Sequence, residues 1–323
     1  GISSYHLAPP ISLIISTILC FGVTFIGFQI INNTKIKILF KGYNYKIYFY
    51  PLVGSYSLIF FIYPFLSLGI LNKNIFIFIS FLIFILGLIF IVLTIKNLKY
   101  KNIIRYYKYY NKLDFIIIGT FLFCYLLISL SPITHADSLA YHAIGSIEAL
   151  NNGKFNVDIL QSKNLLISAG EIFMILGFAL KTQEFGNLIQ FTSILSLIPI
   201  FLSTKNKDKK NILIPIIGIL SSFCMIFLIS SPKPQMIHII GSLFVFSYIF
   251  NFLNLKNEKN KILIFFILTS ILVINIQSKF SFILGSGLLI LYFIIFSFKK
   301  SFFKKYSLCL IIVFFILVLP SFI

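Results

Sequence analysis

Ten apolar runs separated by short polar connectors dominate the sequence: 11–31, 48–71, 74–95, 113–131, 185–203, 212–229, 237–253, 262–276, 280–298 and 306–323. A membrane-crossing helix needs about 20 mostly apolar residues, with a usual range of roughly 17–25. The runs are continuous rather than alternating, which excludes the period-two pattern of an outer-membrane barrel. Only 11% of the residues are charged and the mean hydropathy is +1.01. A soluble domain carries roughly a quarter of its residues as charges, so this chain cannot cover a water-facing surface. The expected fold class is all-α: a polytopic transmembrane helix bundle of about ten spans, with surface-parallel helices in one outward loop.

The cations set the orientation. A further apolar run, 165–180, has 16 residues and carries Glu171 in its middle. If it does not cross, one side of the membrane collects 21 of the 27 Lys and Arg residues. If it does cross, the split becomes 13 against 14. The excess of cations on cytoplasmic loops favours the first case. The run is then expected to lie in the interface as a helix. The amino terminus and the loop 131–184 face outward, as in a multi-pass protein of a bacterial inner (plasma) membrane. The net charge of +19 would suit nucleic acid, but the lysines sit in clusters between spans and no folded basic surface carries them, so no nucleic-acid partner is expected. Cys20, Cys124, Cys224 and Cys309 fall in separate apolar runs. They read as buried small hydrophobes, with neither a disulfide framework nor metal spacing. The sequence opens on Gly1 and stops at Ile323 inside an apolar run, which reads as part of a longer chain.

Loop 131–184 is the one long segment that is neither span nor short connector. It holds Asp137, Glu148, Asp158, Glu171 and Glu184, five of the eight acidic residues, and His135 and His142, two of the four histidines. Carboxylates and imidazoles gathered at one membrane surface mark the place where chemistry is expected. Leu139, Ala143, Ile147 and Leu150 form one apolar stripe, which predicts a helix over 138–152 closed by Gly153. Asp137 stands at the N-cap of that helix, where it either caps the first turn or serves as a general base or as a metal or phosphate-linked ligand. His142 lies at the edge of the stripe, and His135 makes a two-ligand His-x-Asp spacing with Asp137. Glu171 interrupts an apolar helix and is expected to pair with Lys163 or Lys181. Glu148, Asp158 and Glu184 read as solvated. Lys233, held in a stiff Pro232-Lys233-Pro234 turn, and Lys279 sit where spans meet the outer surface. Each either snorkels or holds a phosphate as a point charge.

The run Asp137-Ser138-Leu139-Ala140-Tyr141-His142, with Asn151-Asn152-Gly153-Lys154 after it, resembles the first extracytoplasmic loop of the GT-C superfamily of polytopic membrane glycosyltransferases. Protein O-mannosyltransferases and aminoarabinose transferases belong to that superfamily. The resemblance covers roughly 113–323. Because the family usually places one span before this loop, residues 1–112 read as additional amino-terminal spans. The resemblance implies transfer of a sugar from a polyprenyl-phosphate-linked donor to a glycan, lipid or protein acceptor on the extracytoplasmic face. It implies Asp137 as the loop acid, with Lys233 and Lys279 as phosphate holders. From their own positions in the loop, His142 joins Asp137 as a catalytic residue, and Glu171 and His135 join the lysines as substrate-binding residues. A divalent metal ion stays open as a cofactor, although Gln235 stands where a second outward carboxylate is common. No residue is assigned as a metal ligand.

Two other functions fit the same pattern. A lipid-linked glycan flippase or transporter would use the outward loop as a gate, but carriers place polar and charged groups near the bilayer midplane. The span interiors here hold Gln29, Gln190, Asn251 and Asn275 and no charge. An O-antigen-type polymerase or ligase relies on loop arginines, and the sole arginine, Arg105, lies on the cytoplasmic side.

Overall fold

A computed structural model describes residues 6–40, 43, 46–97, 112–133, 138–155, 168–202, 213–230, 235–253, 258–298 and 303–322. The described residues are helical, with no strand among them. In chain order the helices are α1 (Ile11–Asn33), α2 (Tyr50–Ser67), α3 (Lys73–Asn97), α4 (Lys112–Ser129), α5 (Ile144–Asn152), α6 (Ile172–Ala179), α7 (Phe185–Ile194), α8 (Leu197–Leu202), α9 (Leu213–Leu220), α10 (Phe223–Ser230), α11 (Met236–Leu253), α12 (Glu258–Ser278), α13 (Ile283–Phe298) and α14 (Phe303–Leu317). Among the described residues, four helices are long and apolar enough to cross a membrane: Ile11–Asn33, Lys46–Ser67, Lys73–Lys96 and Asn260–Ser278. Their outward faces are apolar, as at Phe61, Phe78, Phe81 and Ile95. Such a surface belongs in lipid, since soluble proteins seldom expose contiguous apolar patches of this extent.

Local signals set the long helices. At the end of α2, Gly69 adopts φ +67°, its N–H reaches Leu66 O at 3.1 Å and the Ile70 N–H reaches Phe65 O at 3.0 Å. This is the left-handed helix end that glycine favours. Asn72 then caps α3, its Oδ1 accepting from Ile75 N at 2.9 Å, as expected of asparagine at an N-cap. The three amino-terminal helices pack with backbones in close approach. A Cβ at Gly22 would overlap the Ile83 carbonyl of α3, and one at Gly54 would overlap the Val23 carbonyl of α1. Lipid gives no hydrophobic drive between helices, so small residues that let backbones meet supply the packing. On the other side of the bundle, the rings of Phe252, Phe293, Phe265 and Tyr306, from α11, α13, α12 and α14, follow one another in that order with centroids 4.8–5.6 Å apart.

Three expectations change. The run 165–180 is not a helix laid on the surface with one face in lipid. Its helical part ends in α6, where Ile172, Phe173, Met174, Ile175, Leu176, Gly177 and Phe178 are all buried. A helix that is apolar all round has no polar face to give water, so it goes inside. The runs 185–203 and 212–229 are not continuous helices. The first breaks between α7 and α8, where Ser196 Oγ donates to Tyr48 O at 2.8 Å. The second breaks at Ser221–Ser222, between α9 and α10. Of the cysteines, Cys20 and Cys309 are buried as expected, whereas Cys124 and Cys224 are exposed. All four are free thiols.

Helix α7 is the hub. It packs against α1, α2, α4, α6, α8, α10 and α11, and every residue from Phe185 to Phe191 is buried. The α6–α7 segment therefore holds the middle of the bundle, with the long helices around it.

Candidate functional site

The site is built where α5 and α6 meet. Helix α5 runs to Asn152 and ends on Gly153 at φ +73°, as its sequence predicts. A Cβ at Gly153 would also overlap the Leu71 carbonyl in the α2–α3 turn. Glycine is thus required twice, for the backbone angle and for the close approach. The first part of the predicted helix differs from a regular α-helix. Ser138–Ala143 is a π-helical turn, a local widening that often occurs at functional sites. The turn holds Ser138 and His142 in the interior, with His142 at 6% exposure.

Glu171, 1% exposed, faces His142. His142 Nδ1 lies 2.6 Å from Glu171 Oε1. The other oxygen, Oε2, accepts from the Ser168 N–H at 2.8 Å. Ser168 Oγ in turn accepts from the Glu171 N–H, which completes a reciprocal capping box. The Ser168 hydroxyl also donates to Ser278 O at the end of α12. Both carboxylate oxygens are therefore engaged, as a buried carboxylate requires. With Glu171 ionised, Nδ1 carries the proton and the lone pair of the imidazole sits on Nε2. Among the described residues nothing bonds to Nε2. A carboxylate that fixes the tautomer and presents the far nitrogen is the arrangement of a general base.

This pairing corrects the expected one. Lys181 does not reach Glu171. It is exposed at φ +59° and closes α6, with its N–H on Phe178 O at 3.0 Å and the Thr182 N–H on Gly177 O at 2.9 Å. Its own carbonyl accepts from the Leu7 N–H at 2.9 Å. Lys163 lies outside the described residues. So do Asp137, His135, Asp158 and Lys233. Lys279 is half-buried and follows Ser278 directly, which puts its backbone beside the Ser168–Glu171 cap. Glu148 is half-buried on α5 rather than solvated. Glu184 is also corrected: it is 1% exposed, and its Oε2 accepts from Ser12 Oγ and, at 3.5 Å, from Ser16 Oγ. Ser12 and Ser16 are four apart and share one face of α1. The local signal for the Glu171 cap was the spacing Ser168-x-x-Glu171 before an apolar run, a capping box in sequence.

A second polar cluster went unread in the sequence. Inside the bundle, Asn275 Oδ1 accepts from Tyr56 Oη at 2.5 Å and from His238 Nδ1 at 2.8 Å. Its Nδ2 donates to Ser242 Oγ at 2.9 Å and to His238 O at 3.2 Å. All four hydrogen-bonding positions of the carboxamide are thus used. Nearby, Gln190 Oε1 accepts from the Ile237 N–H at 3.2 Å. Among the described residues, no group of three or more His, Cys, Asp or Glu side chains is placed to hold a metal ion.

No curated protein and no solved structure matches the chain. Residues 109–323 match the family model described as the DUF1420 N-terminal domain, a match that begins just before α4 and leaves α1–α3 outside it. Because the match takes in well over half of the 323 residues, the chain belongs to the DUF1420 family.

Proposed function

We propose that this protein is a membrane glycosyltransferase that moves a sugar from a polyprenyl-phosphate-linked donor to an acceptor on the extracytoplasmic face. The reading takes the chain as crossing the membrane about ten times, with the basic connectors in the cytoplasm and loop 131–184 outside. One observation carries it: the imidazole of His142, oriented by Glu171 at 2.6 Å, in the loop that resembles the GT-C catalytic loop. In the reaction, His142 Nε2 takes the proton of the acceptor hydroxyl. The acceptor oxygen forms a bond to the anomeric carbon as the bond from that carbon to the phosphate oxygen breaks. The lipid phosphate leaves with the electron pair, and Lys279 and Lys233 stabilise its charge. Asp137, five residues before His142, orients the acceptor.

The test uses the full-length protein in proteoliposomes with a polyprenyl-phosphate-linked sugar, reading release of the lipid phosphate. A positioned general base contributes typically about 10²–10⁴-fold, and His142→Gln is expected to lose that factor. Glu171→Gln, which keeps the shape but weakens the hold on Nδ1, is expected to lose less and to shift the pH profile. Full turnover in His142→Gln would end the base assignment, and full turnover in Asp137→Asn would remove the loop acid.

A second reading, transport of a lipid-linked glycan, is favoured by the breaks at α7–α8 and α9–α10 together with the polar cluster around Asn275. Broken helices and mid-bundle polar groups are features of carriers. The headgroup position separates the two: beside His142 for transfer, beside His238 for transport.

A further inference from the structure

Between α1, α2, α11 and α12 lies a cavity of about 340 Å3. Leu52, Val53, Tyr56 and Phe60 line it from one face of α2, with Ile267 and Ile274 opposite on α12. From Leu52 to Phe61 the lining runs about 14 Å along the helix at 1.5 Å per residue. Half the hydrocarbon thickness of a bilayer is about 15 Å. The cavity is as deep as one leaflet.

Its few polar groups are already committed. Ser57 Oγ donates to Val53 O at 2.8 Å, Ser270 Oγ to Phe266 O at 2.7 Å and Thr34 Oγ1 to Ile30 O at 2.6 Å. The Tyr56 hydroxyl donates to Asn275. No free hydroxyl proton is left among them, so the lining offers a buried water no donor to complete the two to four polar partners it needs. The space suits hydrocarbon.

Its rim is cationic. The 3-10 turn Lys35–Ile38 follows α1 and alternates, with Ile36 lining the cavity and Lys35 and Lys37 exposed on either side of it. Among the described residues neither lysine has an ion-pair partner. Lys46 is held nearby, its Nζ donating to Asn32 Oδ1 at 3.3 Å. This end of α1 is opposite the end at which Ser12 meets Glu184.

We propose that the cavity holds the hydrocarbon chain of an anionic phospholipid of that leaflet, with the lipid phosphate held by Lys35, Lys37 and Lys46. The depth of one leaflet selects a chain entering from that side. The row of lysines at headgroup level selects the negative charge. This site does not rest on the transfer reaction.

The chain has no tryptophan, so a single introduced one reports its own surroundings. Phe60→Trp places it in the lining, Phe266→Trp provides a second reporter across the cavity, and Phe78→Trp on the outward face of α3 serves as the bulk-lipid control. The full-length protein is reconstituted in vesicles of equal parts phosphatidylcholine and phosphatidylglycerol, with bromine on the acyl chains of one or the other. Each lysine near an anionic headgroup is worth about fivefold in affinity. Both lining reporters are therefore expected to prefer brominated phosphatidylglycerol by at least about fivefold, whereas Phe78→Trp follows the bulk mixture. Lys35→Gln, Lys37→Gln and Lys46→Gln together should remove that preference. Equal quenching by the two lipids at both lining reporters, or a preference that survives loss of the lysines, overturns the proposal. Shielding of both reporters from either lipid also overturns it, because a protein segment then fills the space.

Discussion

Helix α3 is 25 residues long and turns much of its surface outward, whereas α6 and α7, of 8 and 10 residues, are buried almost throughout. Length and apolarity qualify α3 to cross a membrane, yet its interior offers little chemistry: Ser80 Oγ donates to Leu176 O of α6 at 2.9 Å, and Thr94 bonds within its own helix. The short segment around α6 and α7 carries Glu171 at its head and Glu184 in its turn, each with hydrogen-bond donors supplied by another part of the chain. Lipid provides no partner for a polar group, so such groups persist only where protein surrounds them. The difference teaches that in this bundle the outer helices furnish the container and the short inner ones hold the buried carboxylates.

Three measurements would break or sharpen that contrast. The largest effect is expected for Glu171→Ala, which strands His142 and unties the Ser168 cap. Leaving the buried His142 Nδ1–H and the Ser168 N–H unpaired costs about 1–3 kcal/mol each, to be read as a fall in unfolding stability in detergent. A loss below about 1 kcal/mol would mean that the pair behaves as an exposed one. Next comes Gly54→Val, whose Cβ overlaps the Val23 carbonyl. Overpacking at such a contact costs about 1–3 kcal/mol, and a neutral result would show that α1 and α2 separate freely. The smallest effect is a paired one on α3 itself. Ser80→Ala removes the tie to α6 and should cost about 0.6 kcal/mol, the average for an interhelical hydrogen bond in lipid. Phe78→Leu, at a residue 61% exposed, should change stability by less than about 0.5 kcal/mol. Equal effects from the two would erase the distinction between the inward and outward faces of α3.

Much of the fold was legible because it is written locally. The stripe from Leu139 to Leu150 and the glycine after it gave α5 its end, and the apolar runs gave the long helices. Where the reading failed, the deciding partner was far away in sequence. Glu171 was singled out as an acid in an apolar run, but its partner His142 lies 29 residues back across a loop. Glu184, next to the polar stretch Lys181-Thr182-Gln183, looked solvated because Ser12 stands 172 residues away. The breaks in 185–203 and 212–229 were hidden by hydropathy, which counts apolar residues and does not register where serine competes for backbone bonds. Of the residues assigned to the reaction from the loop pattern, His142 and Glu171 are brought together and Lys279 stands next to their cap.

Asn275 gives the bundle a three-way joint. One carboxamide touches α2 through Tyr56 and α11 through His238 and Ser242, while itself belonging to α12. Tyr56 also lines the lipid-sized cavity. A change in what fills that space therefore presses on the same hydroxyl that braces three helices, so the occupant of one leaflet and the alignment of the inner helices are mechanically connected.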